Sequence, residues 1–479
     1  MRTIFFLFIS LICLSANAGT YWVGTGTGDL IVDGSVTTYP AGSVIIVKSG
    51  TYGQINFNNL NYVTIMNDSA GAAIEDGSTG NLYAGISISD CNHVNITRNP
   101  ATASTIPYGF INQNNTYRPT GINGQNTYDT IQHVEWFNIG DFVVYASSST
   151  YNWDGTDATL QGKNLSFLYD KFDSCNQAVF EFGGTVTGSA IVNLQKNLEI
   201  AYCSFSRCNG GDVIFSGAQD RYNIHDNTFF QINRTNNNDN RLVHIIGNGN
   251  FYRNYADSTQ GHFLGMWALS FGSTPETDSC WDNICLYTRK YSMFECQSTS
   301  GENITADSVA PYTTYTNIVI SNNTGGNLNY TQDQSFGAYL IDDYTMPPGS
   351  TLQIFNNVLY NAYAQSPNAS EPQGSIVQFG PSPAADTAGN WYFGSAAAAG
   401  FNEITLSLVS GSPLLNAGVG GHLLNSADYD GVAFNATSPS IGAVSGIQSG
   451  GSIPPPVGSA PTPTRQTFIL RFGIIPKTN

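Results

Sequence analysis

The sequence predicts an all-β protein, a right-handed parallel β-helix of roughly ten or more coils with a ladder of asparagines. Helix signals are nearly absent, whereas Gly, Asn, aromatic and β-branched residues are abundant and apolar stretches are short, which is typical of many short strands. A six-residue pattern also recurs along the chain: an apolar residue, two others, Asn, one other and a second apolar residue. Short strands and such a repeat together favour a solenoid.

The repeat is clearest at residues 224–229 and 251–256. Its first apolar residue is found at Ile96, Val134, Phe167, Ile200, Ile224, Phe251, Cys280, Ile320 and Ile354. Consecutive copies are 24 to 40 residues apart. A β-helix explains this variation, because its strands stay in register while insertions enter its loops.

Asparagine suits the corner between two strands of a coil, because it tolerates the left-handed backbone that a sharp corner requires. When coils stack at ~4.8 Å, the amides of successive corners can hydrogen-bond along the stack. We therefore expect a ladder at Asn227, Asn254, Asn283, Asn323 and Asn357. An antiparallel sandwich or a propeller with Asn-rich turns is the alternative, but a sandwich would not repeat so often and no propeller signature is present.

The first 18 residues have the three parts of a secretory signal peptide. Arg2 supplies a positive charge, residues 4–14 form a short apolar core, and Ala16 and Ala18 are the small residues of a cleavage site. The core is too short to span a bilayer, and no later segment has the ~18 unbroken apolar residues of a membrane helix. We expect a secreted, cell-surface or periplasmic protein without a membrane span, its mature chain beginning at Gly19. A buried N-terminal strand is the alternative.

Both ends of the predicted stack resemble one group of proteins. Residues 41–52, Ala-Gly-Ser-Val-Ile-Ile-Val-Lys-Ser-Gly-Thr-Tyr, look like the opening coil of pectate-lyase-like right-handed β-helix proteins. Residues 412–418, 428–431 and 439–443 resemble the closing segment of many secreted bacterial members. The resemblance covers roughly residues 20–445 and implies the fold, which lyases, hydrolases, adhesins and inert scaffolds share.

These observations divide the chain into parts. We expect the signal peptide at 1–18, the β-helix at 19–400, its closing segment at 401–446, a Pro/Gly-rich linker at 447–464 and a C-terminal tail at 465–479. The tail is predicted to be a lone strand, which is not stable by itself. It should therefore pair with a free sheet edge or lack structure.

Charge narrows the set of partners. The chain carries a formal charge of −17 at pH 7, with only 11% charged residues. Such a protein repels nucleic acid, anionic membranes and polyanionic sugars unless its few cations are concentrated locally. A neutral polysaccharide meets no such repulsion, so we expect the partner to be a polysaccharide. We expect the protein itself to be a monomer.

The cysteines predict neither a zinc site nor a complete set of disulfides. Of 8 cysteines, one falls within the signal peptide, so an odd number remains and at least one is unpaired. Most of them are expected to be small buried core residues. No cofactor is predicted: Asp342–Asp343 and Asp428/Asp430 could bind calcium, but roles in turns and corners are favoured.

The resemblance also implies a substrate groove along the strands that follow each asparagine corner. Those strands are predicted at 177–184, 211–217, 241–248, 262–267, 290–297, 337–343 and 374–380. Side chains alternate between the two faces of such a sheet. Burying Phe180 and Phe182 turns Glu181 outward, and burying Val213 and Phe215 turns Asp212 outward.

Other polar residues of these strands complete the predicted site. Burying Val243 and Ile245 turns His244 outward, and Glu295 faces outward if Phe294 is inward. The candidate catalytic residues are Glu181, Asp212, His244 and Glu295. The candidate substrate-binding residues are Arg241, His262, Trp267 and Lys290.

Glu181 and Asp212 are expected in successive coils, ~5 Å apart along the stack. Two carboxyl groups at that distance can act as acid and nucleophile in retaining glycoside hydrolysis, and a wider pair suits inversion. The alternative is that Glu181 and Asp212 lie close together by coincidence, because any acidic β-helix displays carboxylates on its outer face.

A lyase is the competing enzyme class. Residues 197–267 resemble alginate and chondroitin lyases of this fold in their order of strands and turns. Those enzymes have a strand with Glu and Lys, followed one coil later by an Arg-His pair. In the corresponding strands here, 241–246 and 261–267, the Lys position is apolar and a single His remains of the pair. The motifs of pectin hydrolases are missing as well.

The sequence leaves three functions open. They are a carbohydrate-active enzyme, hydrolase- or lyase-like, a non-catalytic glycan-binding or adhesive surface protein, and a structural protein that docks through its tail. Convergence of the candidate catalytic residues in one groove would favour the enzyme. A groove of Tyr, Trp and Asn without convergent titratable groups would favour the binding protein.

Overall fold

The structure is a computed structural model. It describes residues 17–79, 85–146, 150–187, 190–235, 240–272, 274–298, 308–309, 312–313, 316–331, 338–345, 350–362, 377–379 and 385–447. Apart from their residues at 17, 18 and 447, the predicted signal peptide, linker and tail lie outside the described residues.

The described chain is all-β, and its strands form a solenoid-like stack. Strands of each coil pair in parallel with the corresponding strands of the coils before and after it. Three columns of strands result, which we call the site sheet, the second sheet and the third sheet. The prediction of an all-β protein with stacked parallel strands is confirmed.

The site sheet contains Thr27–Asp33, Gly50–Asn58, Ile86–Ser89, Thr120–Asn123, Val144–Ala146, Phe180–Phe182, Ile214–His225, Arg241–Tyr252, His262–Ala268, Phe294–Ser298, Ile341–Thr345 and Val377–Phe379. The second sheet contains Thr20–Val23, Val44–Val47, Asn61–Asn67, Asn92–Thr97, Asn126–Thr127, Thr130–Gln132, Gly162–Lys163, Ser166–Leu168, Gln195–Lys196, Glu199–Ala201, Thr277–Trp281, Asn317–Ser321, Thr351–Phe355 and Asp386–Ala388, together with the later halves of the two longest site-sheet strands. The third sheet contains Ala73–Asp76, Phe110–Gln113, Val134–Phe137, Lys171–Asp173, Ser204–Ser206, Thr228–Phe230, Tyr255–Asp257, Ile284–Leu286, Thr324–Gly326, Val358–Tyr360 and Trp391–Phe393.

A few short elements lie outside these sheets. Antiparallel pairings join Thr185–Thr187 with Ala190–Val192, Tyr312–Thr313 with Ser270–Phe271 and Ser308–Val309, and Phe401–Asn402 with Ser407–Leu408. The helices are Gly77–Thr79, Pro100–Thr102, Asp157–Thr159 and Ala396–Ala399. No helix of the described residues combines the length and apolar character needed to cross a membrane.

The core lies between the three sheets and is filled by aliphatic and aromatic side chains. One column of rings runs through it: Trp136 stacks on Phe172 with centroids 4.5 Å apart. Phe172 stacks on Phe205 at 5.0 Å, and Phe205 on Phe229 at 4.7 Å. These distances match the ~4.8 Å between neighbouring strands, so residues at one register position stack face to face along the coils.

The structure confirms the repeat alignment at all but one of its first apolar positions. One register position of the second sheet is shared by Ile96, Ile131, Phe167, Ile200, Ile224, Phe251, Cys280, Ile320 and Ile354. The prediction is wrong at Val134, which pairs with Phe110 in the third sheet. Ile131 and Val134 are both apolar, and no Asn marks the corner in this coil, so the pattern fits two offsets.

The predicted ladder forms at Asn227, Asn254, Asn283, Asn323 and Asn357. The Oδ1 atom of Asn254 lies 3.1 Å from the backbone N of Asn227 and 3.0 Å from its Nδ2, and accepts a hydrogen bond from each. The same two bonds join every later pair, and the ladder continues to Asn390.

One detail of the ladder prediction is wrong. The left-handed backbone belongs to the residue before each ladder asparagine, with φ of 55° at Asp226 and 49° at Arg253. The ladder residue contributes its side-chain acceptor to the corner instead. An aspartate can supply the same acceptor: Asp170 Oδ1 accepts a hydrogen bond, at 2.8 Å, from the backbone N of Val134 in the preceding coil.

The cysteines fill core positions. The seven at Cys91, Cys175, Cys203, Cys208, Cys280, Cys285 and Cys296 are all buried, and none forms a disulfide. This agrees with the expectation that they act as small apolar residues.

A buried carboxyl group, Glu75, should give the fold an unusual pH dependence. Its side chain is fully buried, and Asn115 Nδ2 donates to its Oε2 at 2.6 Å. Burial raises the pKa of Glu75 to about 8, although the Asn115 hydrogen bond opposes the shift. Because the folded protein holds this proton more tightly than the unfolded chain, the stabilisation is complete below the unfolded pKa and is lost as the pH rises through about 8.

Replacing Glu75 with Gln should therefore remove part of the loss of stability at alkaline pH. At about pH 9 the variant is expected to be more stable than the parent by on the order of 3–5 kcal/mol, and near pH 4 the difference should disappear. Denaturant unfolding at both pH values measures the difference. Equal pH dependence in the two proteins would contradict a proton held by Glu75.

Candidate functional site

The strands predicted to form a groove do lie in one column, the site sheet. One register position along it, which we call the site row, contains Tyr145, Glu181, Phe215, His244, Gly265, Glu295 and Asp342. The neighbours of Glu181 in its strand, Phe180 and Phe182, are fully buried in the core, as are Val243 and Ile245 on either side of His244. The site row therefore faces away from the core, as period-two alternation requires.

Glu181 is the half-buried carboxyl group of the site row. Burial raises its pKa to about 7; the Arg118 guanidinium opposes this shift, and the Asp212 carboxylate adds to it. A carboxyl group with such a pKa keeps its proton in a large fraction of molecules near neutral pH. It can therefore donate that proton, as a general acid must.

Asp212 lies just before a strand of the site sheet and is held by two hydrogen bonds. Its Oδ1 accepts from the backbone N of Arg241 at 2.8 Å, and its Oδ2 lies 3.1 Å from His244 Nδ1. The Asp212 side chain keeps 24% of its surface exposed, whereas that of His244 keeps 7%. His244 thus orients an accessible carboxylate rather than facing the solvent itself.

Arg241 reaches across a neighbouring coil to pair with Glu295. Its Nη2 donates to Glu295 Oε1 at 2.7 Å, and its Nε donates to Oε2. Burial alone would raise the pKa of Glu295, but the His262 and Arg241 charges and the Arg241 hydrogen bond hold it below the usual range. Bidentate pairing of this kind fixes both side chains.

Gly265 makes this crossing possible. It occupies the site row between the coils of Arg241 and Glu295, and an added Cβ would lie 2.7 Å from Arg241 Cγ and 3.1 Å from Glu295 Oε2. Cγ is near the start of a side chain whose far end is tethered, so it cannot move aside freely. The glycine is required here for close approach, not for backbone conformation.

Replacing Gly265 with Ala should consequently disrupt the ion pair and cost about 1–3 kcal/mol of stability. In an Arg241→Met background the same substitution should cost less, because the methionine side chain is not tethered to Glu295 and can move aside. Gly183→Ala is the matched control, since nothing lies within 4 Å of a Cβ built there. Thermal or denaturant unfolding is measured for the parent, the three single variants and the double variant. Equal costs of Gly265→Ala in both backgrounds would contradict the crossing.

Trp267 forms the side of the site next to His244, and their ring centroids are 4.6 Å apart. Beyond it, a small apolar cluster lies outside the main core. The antiparallel strands Thr185–Thr187 and Ala190–Val192 contribute to this cluster, as does Phe271. Trp267 is half-buried, so its predicted contact with substrate stays a prediction.

Sequence reasoning missed Arg118, which lies beside Glu181. Its guanidinium carbon is 4.2 Å from the ring centroid of Tyr145 and 5.0 Å from that of Phe142. Tyr145 is the register partner of Glu181. The signal that could have found it was the sequence Tyr117-Arg118 before a site-sheet strand, but its approach to Phe142 and Tyr145 depends on the loop between coils.

Two predicted features of the site need correction. Glu181 pairs with Phe215, not with Asp212, so the two carboxyl groups do not occupy one register position. Phe215 is half-buried in the site row rather than in the core, because Val213 and Ile214 both point inward at a bend before it. The backbone positions of Glu181 and Asp212 are therefore farther apart than the predicted ~5 Å of directly stacked residues.

The second correction concerns exposure. His262 and Lys290 were expected to contact substrate, but they keep 0% and 4% of their surface exposed, and the ring of His262 lies 5.0 Å from that of Tyr291. Glu295, expected to face outward, is 1% exposed because its carboxylate is enclosed with Arg241. His262, Lys290 and Glu295 are therefore buried next to the site and do not line its solvent-exposed surface.

No group of three or more Asp, Glu, His and Cys side chains is arranged to hold a metal ion in the described part of the chain. Asp428, one of the acidic residues considered for calcium, organises a turn: its Oδ1 accepts from Val432 N at 2.7 Å and from Asp430 N at 3.0 Å. This is the turn role that the sequence favoured.

No protein-family model matches this chain, and a search of curated proteins finds no significant match. The fold and the geometry of the site therefore carry the functional inference.

Proposed function

We propose that this protein is a secreted glycoside hydrolase built on a right-handed parallel β-helix of the pectate-lyase-like superfamily, and that it cleaves a neutral or weakly charged polysaccharide with inversion. Glu181 is the general acid and Asp212 the general base. The observation that carries the proposal is the convergence, in the site sheet, of an accessible acid with a raised pKa and a second, oriented carboxylate.

The offset between the backbone positions of Glu181 and Asp212 is the reason for proposing inversion rather than retention. Glu181 is opposite Phe215, and Asp212 precedes Phe215 by three residues in the chain. An inverting enzyme needs the wider carboxyl separation, ~6.5–9.5 Å, to leave room for the attacking water. Glu181 would protonate the leaving oxygen while Asp212 removes a proton from that water. The oxocarbenium-like transition state is stabilised by the nearby negative charge.

The lyase alternative is less well supported. Elimination from a uronate requires a base and a group that neutralises the carboxylate, commonly an accessible cation. Of the cations that the sequence predicted in this groove, Arg241 is paired with Glu295 and its side chain is 14% exposed, and Lys290 is buried. Arg118 is a single accessible cation, and the carboxyl group next to it, Glu181, has a raised pKa, which suits an acid better than the base that elimination needs. The formal charge of −17 also opposes the approach of a continuous polyanion.

A non-catalytic glycan-binding protein is the second candidate. A stack of aromatic rings on the second sheet favours it: His93 lies 4.3 Å from Tyr62 and 4.5 Å from Tyr128, centroid to centroid. Tyr62 and Tyr128 keep 49% and 44% of their surface exposed. Exposed aromatic side chains of this kind are typical of sugar-binding surfaces, and they require no catalysis.

A panel of polysaccharides tests the proposal. Purified mature protein should release reducing ends from at least one neutral or sparsely substituted glycan, without any rise in ultraviolet absorbance. Nuclear magnetic resonance of the first products should show the anomeric configuration opposite to that of the substrate. Unsaturated products from alginate, pectate or chondroitin would overturn the proposal, and binding without cleavage would favour the second candidate.

A further inference from the structure

We infer that Arg118 is a specificity-determining residue that binds an anionic substituent, a sulfate ester or a carboxyl group, on the sugar next to the scissile bond. The inference rests on the proposed function for the position of the scissile bond. Arg118 precedes the site-sheet strand Thr120–Asn123 by two residues, and its guanidinium carbon lies 4.2 Å from the ring centroid of Tyr145, the register partner of Glu181. It therefore stands at the same groove as the proposed acid.

The guanidinium of Arg118 is held by aromatic rings rather than by hydrogen bonds. Its carbon lies 4.2 Å, 5.0 Å and 5.6 Å from the ring centroids of Tyr145, Phe142 and Tyr117. Stacking on aromatic faces immobilises the planar group while its N–H donors, at the edge of the plane, stay directed away from the rings.

Those donors have no acceptor within the described residues. The nearest carboxylate, Asp141, has its Oδ2 3.5 Å from the Arg118 Nε, a distance at which the two charges attract but no hydrogen bond forms. The other carboxylate oxygen of Asp141, Oδ1, accepts a hydrogen bond from the backbone N of Phe142 at 2.9 Å. The side chain of Arg118 keeps 33% of its surface exposed. An oriented, accessible guanidinium with unused donors is a receptor for a planar or tetrahedral oxyanion.

The surrounding charge sets which anion can bind. A chain of formal charge −17 repels a continuous polyanion, whereas one fixed cation can accept a single charged group on a mostly neutral glycan. Arg118 lowers the pKa of Glu181, and a bound anion would offset that effect. A substituted sugar would thus both gain affinity and help Glu181 to keep its proton.

Calorimetric binding to matched oligosaccharides tests the inference. The series are galactan oligosaccharides with and without sulfate esters, and glucan oligosaccharides with and without oxidation to carboxyl groups. All proteins carry Glu181→Gln, so that bound sugar is not consumed. At least one anionic member should bind more tightly than its neutral counterpart, and which one does so identifies the substituent.

Two variants give opposite expected results. Arg118→Met should weaken binding of the preferred anionic member by about 10- to 100-fold while changing the neutral one by less than about twofold. Asp141→Asn, which removes the competing charge but keeps the acceptor for Phe142, should tighten binding of the anionic member. No preference for any anionic member, or equal losses for both members in Arg118→Met, would overturn the inference. Cleavage of a neutral glycan without that preference would leave the proposed hydrolase standing, and a preference without cleavage would leave Arg118 as an anion receptor.

Discussion

Replacing Asn254 with Leu is expected to lower the free energy of unfolding by about 3–5 kcal/mol. This is the largest loss of stability that we expect from replacing a single buried polar residue. Asn254 lies in the middle of the ladder and is fully buried. Its Oδ1 accepts from two atoms of Asn227, and its Nδ2 donates to Ile224 O at 2.9 Å. Leucine has similar volume but no polar atom, so these buried groups would lose their partners without access to water.

Asn254→Asp is the matched control, because it keeps an acceptor of the same shape. The chain itself has an aspartate, Asp170, at the equivalent place three coils earlier. Asn254→Asp should therefore cost less than Asn254→Leu at acidic pH, where the new carboxyl group can be protonated. Denaturant unfolding of the three proteins gives the comparison. A loss below about 1 kcal/mol in Asn254→Leu would show that the ladder does not stabilise the stack.

Glu181→Gln and Asp212→Asn should each lower kcat by about 10²–10⁴-fold, the range that general acid or base groups contribute. Glutamine keeps the shape of Glu181 but has no proton to donate to the leaving oxygen. In Asp212→Asn, the side-chain amide oxygen would keep the bond from Arg241 N, but the amide could not remove a proton from water. Initial rates on the best substrate of the polysaccharide panel measure both losses.

The pH dependence and a control make this prediction specific. Since the pKa of Glu181 is about 7 and its protonated form is the acid, activity should fall as the pH rises through about 7. Glu135→Gln is the control: this carboxylate also forms an ion pair, with Lys171 Nζ at 2.7 Å, but it lies on the third sheet. Full activity in both site variants would exclude these residues, and loss of activity in the control would point to a general effect on folding.

The stack could be predicted because its strongest signal is local. An asparagine three residues after a buried apolar residue of the second sheet marks each corner between Asn227 and Asn357, and every one of these positions is confirmed. Where the asparagine is absent, the apolar residues alone decide the alignment: it holds at Phe167 and Ile200 but fails at Val134. The register of the strands in that coil is then fixed by pairing with the neighbouring coils, and this pairing cannot be predicted from a single stretch of sequence.

The site was less accessible to sequence reasoning, because its geometry depends on contacts between coils. Alternation correctly turns Glu181 away from the core, but a bend at Val213 and Ile214 shifts Asp212 out of line with it. The crossing of Arg241 over Gly265 joins coils that are not neighbours. Periodicity within one strand contains no information about such a crossing, so the sequence could not predict that Arg241 pairs with Glu295. A contact between Arg241 and substrate stays a prediction.

Cleavage in water enriched in heavy oxygen tests the central claim, hydrolysis at Glu181 and Asp212, most directly. Mass spectrometry of the products should find one heavy oxygen at each new reducing end, and the label should be lost together with cleavage in Glu181→Gln. Products that are unsaturated and carry no heavy oxygen would instead establish elimination, and labelled products at an undiminished rate from Glu181→Gln would place the chemistry elsewhere in the molecule.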